Sequence, residues 1–293
     1  MTVISGKGGT GKTTVTAAFA VLSDNKVLAD NDVDAADLHL LIAPRVRESH
    51  PFVGSKKAKI LADTCTACGE CAEACHFDAI RFDGPGNDRL DKTYRIEPFA
   101  CEGCGLCPLV CPADAIQSIE SITGKWFVSA TDCGPMVHAR LGIAEENSGR
   151  LVTQVRNRAA SLTGELSLER ILGDGPPGTG CPVIASVSGA DLVLIVTEPT
   201  VSGVHDMERV LDLAAHFGVP TQVIINKCDL NLAQTERIEQ IAASRNSQVI
   251  GRIPFDRMVN DALMAGKTVV DFGESAAADA IRGAWKDVLS ALR

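Results

Sequence analysis

Residues 5 to 14 read SGKGGTGKTT. Gly6, four residues, then Gly11, Lys12 and Thr13 fit the spacing G-x-x-x-x-G-K-[ST] of a loop that cradles phosphates with its backbone N–H groups. That loop works only between a strand and the first turn of a helix, where the helix dipole favours an anion, so it commits the chain to an α/β layout. The flanks agree. TVIS before it is a short apolar run, and TTVTAAFAVLS after it has helical spacing. In such a loop Gly6, Gly8, Gly9, Thr10, Gly11, Lys12, Thr13 and Thr14 surround the phosphates. Lys12 bridges the outer two, and the Thr13 hydroxyl ligates Mg²⁺. Lys7 is a second cation between the glycines, and the bare motif does not require it.

The rest of the chain continues the alternation. KVLADNDVD reads as a second buried strand ending in carboxylates, while ADLVLIVTEP and PTQVIINKCDL are β-branched apolar runs of the kind buried on both faces of a parallel sheet. GVHDMERVLDLAAHFG lies between them with helical spacing and a glycine stop. The expected fold is a doubly wound, mostly parallel α/β sheet. In ILGDGPP, Gly173 stands where a β-branched residue is expected, which predicts a bent or weak strand end. Near the C-terminus, Ile281, Trp285, Val288, Leu289 and Leu292 share one helical face. The opposite face mixes Asp279 and Asp287 with Arg282 and Lys286, so the helix is expected to pack on its own sheet rather than on a membrane.

One segment interrupts this pattern. CTACGECAEACHFDAIRF from position 65 aligns without gaps on CEGCGLCPLVCPADAIQS from position 101. Each half carries C-x2-C-x2-C-x3-C, the bacterial ferredoxin run in which three cysteines hold one 4Fe-4S cluster and the fourth crosses to the other. The expected ligand sets are Cys65, Cys68, Cys71 and Cys111 for one cluster, and Cys75, Cys101, Cys104 and Cys107 for the second. Gly69 and Gly105 allow the tight turns that bring three thiolates together. Paired C-x2-C can also hold zinc, but the repeated spacing with its exchanged fourth ligand favours two clusters. The expected division is 1–59 and 119–293 for the nucleotide domain and 60–118 for an inserted α+β ferredoxin-like domain. His76 replaces the usual proline and reads as a plain substitution. Packing is the default for Cys228, while Cys133 and Cys181 sit in glycine and proline turns.

A formal charge of -9 and a pI near 5.2 disfavour a nucleic-acid surface. The short basic cluster Lys56, Lys57 and Lys59 reads as a solvated strand edge. With no long apolar run and no leader pattern, a cytoplasmic protein is expected, a compartment where cysteines remain reduced and available to metals.

KGGTGKTT resembles the deviant phosphate loop of the superfamily of P-loop ATPases containing MinD, ParA and the nitrogenase iron protein, the SIMIBI type. The chain is similar to its branch with an inserted ferredoxin domain through DNDVDAADL, GPMVHA, ENSGRLV, DGPPGTGCPV, TEPTVSGVHD, NKCDLN and GRIPFD. The resemblance implies that Asp32 orients the attacking water, with Asp30 beside it near Mg²⁺. It implies that Asp174 holds Mg²⁺ and that the Gly178 N–H senses the terminal phosphate. It makes Asn226 the reader of adenine and Pro254 part of the base pocket. His138 falls in a family motif without a deducible role. Lys7 is implied to reach the partner's phosphates across an ATP-bound homodimer. The expected activity is ATP hydrolysis coupled to a two-cluster module, with electron transfer to a protein partner. The alternatives are a cluster or metal carrier, and a MinD-like positioning ATPase with redox-sensing clusters.

Overall fold

The computed structural model describes residues 1–142 and 148–292. Eleven strands are found among them: β1 (Thr2–Ser5), β2 (Lys26–Asp30), β3 (Arg45–Ile60), β4 (Ile80–Gly84), β5 (Thr93–Ile96), β6 (Ile116–Thr131), β7 (Gly134–Leu141), β8 (Arg170–Pro177), β9 (Val193–Thr197), β10 (Thr221–Asn226) and β11 (Gln248–Ile253). Nine form one sheet in the order β11-β10-β9-β1-β8-β2-β7-β6-β3. The pairs from β11 across to β7 are parallel. The chain falls into two compact units, one built from Met1–His50, Trp126–Leu141 and the residues from Ser148 onward, the other from Pro51–Lys125.

In the first unit the central strands are apolar on both faces because helices cover both. Val3, Leu28, Leu194 and Ile224 join the inner residues of helices Lys12–Leu22 and Ala276–Ala291 in one core. Ile4, Ile195, Val223 and Ile225 meet helices Val201–His216 and Leu232–Ser244 in another. The alternation of neighbours along each strand between the two cores reflects the period of two. The C-terminal helix buries Ile281, Trp285 and Val288, and Trp285 packs on Phe19 with ring centroids 4.8 Å apart.

Gly173 departs from its expectation. It is an ordinary interior residue of β8, facing Thr2 on one side and Ala29 on the other. A Cβ there would come within 3.0 Å of Asn31 and 3.1 Å of Thr2, so the missing side chain gives neighbouring groups room. The irregularity lies farther along, between Val3 and Ser5 of β1.

The second unit contains short helices Glu70–Glu73 and Leu106–Val110 and the antiparallel pair β4–β5, in which Ile80 faces Ile96. Cys71, Ile80 and Ile116 form its small core, packed by Ala58, Ile60, Tyr94 and Ile96. Strands β3 and β6 are sixteen residues each, and each has residues in both units. Neither strand's length is readable from the sequence. Both alternate without a buried face along much of their course, and β3 passes through Pro51 and Gly54.

Candidate functional site

The phosphate loop leaves β1 at Ser5 and enters the helix at Lys12. Gly11, the residue before the helix, has φ +89, a conformation open to glycine at little cost. A Cβ there would also lie 2.3 Å from the Asn226 amide nitrogen. That amide donates to the Thr10 carbonyl at 2.8 Å, and its oxygen accepts the Lys227 N–H at 3.0 Å. Asn226 therefore pins the loop to the end of β10, and both ends of its amide are engaged by the protein.

The carboxylates expected from the sequence meet the loop. Asp174, fully buried on β8, accepts from the Lys12 ammonium at 2.9 Å, the Thr13 hydroxyl at 2.8 Å and the Thr16 hydroxyl at 2.8 Å. Thr16 was not singled out by the sequence, although its place one helical turn after Lys12 puts it on the same inward face. Asp32 lies 3.5 Å from the Lys12 ammonium. Asp30 accepts the Asp32 N–H at 3.2 Å, and its other oxygen has no partner among the described residues.

Charge crowding governs this cluster. Burial pushes the Asp32 carboxyl up to about 6; Lys12 opposes the shift and Asp174 adds to it. Asp30, buried beside Asp174, is raised well above the carboxylate range. Burial alone would depress the Lys12 ammonium, but Asp174 and Asp32 outweigh it and hold it above its ordinary value. A site with three carboxylates and one lysine at its centre is short of positive charge. That deficit, the unpartnered Asp30 oxygen and the unpartnered Thr10 hydroxyl fit a divalent cation arriving with a nucleotide.

The cleft around the loop has a volume of about 410 Å³ and is bounded by Asp32, Asn226, Lys227, Ile253 and Val259. Gly8 and Gly9 border open space. Pro254 follows Ile253 directly and is half-buried. Gly178 donates its N–H to the Ser5 carbonyl at 2.8 Å, so sensing a phosphate would require that bond to open. Thr14 is half-buried at the start of the helix, and Gly6 packs on Asp206. Lys7, unlike Lys12, does not line this cleft. Its ammonium is 2.6 Å from Glu198 and within 3.3 Å of the Thr200 and 3.1 Å of the Ser202 hydroxyls. Glu198 also holds Lys227 at 3.1 Å. Burial would raise the Glu198 carboxyl, but the two lysines win and lower it.

In the second unit the eight repeat cysteines sort around two cavities. Cys65, Cys68, Cys71 and Cys111 line one. Cys75, Cys101, Cys104 and Cys107 line the other. Gly69 and Gly105, each preceding a short helix, have φ 88 and 79. No three His, Cys, Asp or Glu side chains among the described residues stand as a group around a single ion.

Outside both sites, His138 accepts or donates at 2.8 Å with Ser129 and stacks on Phe127, and burial lowers it to about 4. His76 and Cys181 are exposed. Burial raises the thiols of Cys133 and Cys228. Of ENSGRLV, Glu146 and Asn147 lie outside the described residues. No described helix is long and apolar enough to cross a membrane.

The family model described as "CobQ/CobB/MinD/ParA nucleotide binding domain" matches residues 1–269. An uncharacterized protein of Methanocaldococcus jannaschii, MJ0578, is 34% identical over 232 residues, 78% of either chain. Among solved structures, the septum site-determining protein MinD of Pyrococcus horikoshii, complexed with Mg-ADP, superposes with a TM-score of 0.55 at 19% identity, covering 98% of this chain and 96% of that one. The MinC:MinD cell division protein complex of Aquifex aeolicus contains a chain with TM-score 0.56 at 18% identity, covering 99% of this chain and 95% of that one. The loop, its carboxylates, the parallel sheet and these likenesses agree, and the chain belongs to the CobQ/CobB/MinD/ParA family of P-loop ATPases.

Proposed function

We propose that this protein hydrolyses ATP and couples the nucleotide cycle to a module holding two 4Fe-4S clusters, passing electrons to a protein partner. The observation that carries the cluster assignment is the sorting of eight cysteines into two crossed sets, each around its own cavity. All-cysteine donor sets match the preference of an iron-sulfur core for soft ligands, and a fourth cysteine exchanged between the sets is the two-cluster ferredoxin arrangement. When bound, such clusters supply one-electron transfer.

In the nucleotide cleft, Lys12 and the loop N–H groups hold the phosphates, Thr13 and Asp174 hold Mg²⁺ with Asp32 near it, and Asp32 accepts a hydrogen bond from the attacking water. Phosphoryl transfer asks mainly for positioning and charge stabilisation, which these groups provide. Lys7 of a second copy completes the charge around the phosphates, making a homodimer the active form. Lys7 does not line its own cleft, which supports a role for it outside that cleft.

Cluster carriage is the second reading. Each cysteine set has one exposed member, Cys68 and Cys104, where an acceptor's thiolate could compete for iron. Anaerobic reconstitution, iron counting and EPR of the reduced protein with and without ATP separate the readings. About eight irons per chain, retained in the presence of partner, with a spectrum that changes on adding ATP, support the coupled redox protein. Iron leaving for an acceptor on ATP turnover supports carriage, and four or fewer irons defeat the cluster assignment.

A further inference from the structure

The two cysteine sets come from a duplicated sequence, yet their surroundings are unequal. In the first set, the Ala67 N–H donates to Cys65 Sγ at 3.4 Å and the Ala115 N–H to Cys111 Sγ at 3.3 Å. In the second set the counterparts of these donors are Gly103 and Ala79, and among the described residues neither donates to a sulfur.

Solvent exposure is nearly matched. Each set has one exposed cysteine, and the remaining thiols are half-buried apart from the buried Cys71. The donor count is therefore the larger difference between the sites. Reduction adds one negative charge to a cluster and its sulfurs, and every N–H dipole aimed at a sulfur stabilises that charge and raises the reduction potential.

We infer that the two clusters differ in reduction potential, the cluster held by Cys65, Cys68, Cys71 and Cys111 being the higher and the one on which the first electron settles. This rests on the two-cluster reading above. An external one-electron donor supplies that electron.

The test is an EPR-monitored redox titration of the reconstituted full-length protein, using dithionite as reductant, with iron counted on the same sample. Two separate one-electron steps are expected. Cys68→Ser should displace the upper step and Cys104→Ser the lower one, assigning each. Coincident steps, or Cys68→Ser displacing the lower step, would overturn the inference. If one serine variant fails to load its cluster, the other assigns the two steps. Iron at about four per chain or fewer would instead remove the two-cluster reading itself.

Discussion

Asp32 illustrates how a site residue can oppose the stability of its own fold. Its carboxyl is raised from the ordinary 3.8 to about 6, first by burial. A folded-state value above the unfolded one means that the native chain binds this proton more tightly. The stability it contributes is complete below the unfolded value and is lost as pH rises through about 6. Asp32→Asn should therefore raise the melting temperature of the nucleotide-free protein at pH 7 to 8 and flatten its pH dependence between 4 and 7. The same substitution should reduce ATP turnover by about two orders of magnitude or more, since the water loses its acceptor. A thermal melt series over pH, paired with phosphate release, checks both. His138 titrates in the opposite sense: lowered to about 4 by burial, it contributes stability above its ordinary 6.5 that is lost as pH falls toward 4. His138→Phe should remove that acid sensitivity, read from the same melts.

At the scale of elements, the helix Ala276–Ala291 shows what burial does for the first unit. Trp285 is 5% exposed and lies against Phe19. Trp285→Ala should cost about 3–5 kcal/mol, seen as a lower urea midpoint with unchanged slope. Trp285→Phe should cost much less, because it keeps the ring contact and removes an indole N–H that has no partner among the described residues. This helix and the central strands were legible in the sequence because burial imposes a clean period on apolar residues. Strands β3 and β6 were not, since much of each is exposed and carries no such period. Lys12 and Thr13 could be singled out because the loop motif specifies their chemistry, and Asp32 and Asp174 through the family resemblance. Thr16 was missed because its hydroxyl acts only through the fold that brings β8 beneath it. The engagement of Asn226 with Thr10 was hidden for the same reason, two residues far apart in sequence meeting at one loop.

For the whole molecule, the proposed dimer makes turnover a matter of concentration. Specific ATPase activity should rise with protein concentration and then level, and Lys7→Ala should lower the plateau by about 10³-fold or more, as loss of an arginine finger does. Activity flat with concentration and indifferent to that change would exclude the dimer. Glu198→Gln should weaken the hold on Lys7 and bring the rise to lower concentration, measured in the same assay. The cleft also has an energetic side. Lys12 and Asp174 pair at 2.9 Å, so a phosphate that engages Lys12 competes with a partner the chain itself supplies. The observed nucleotide affinity is then a net quantity, the new contacts less the broken bridge.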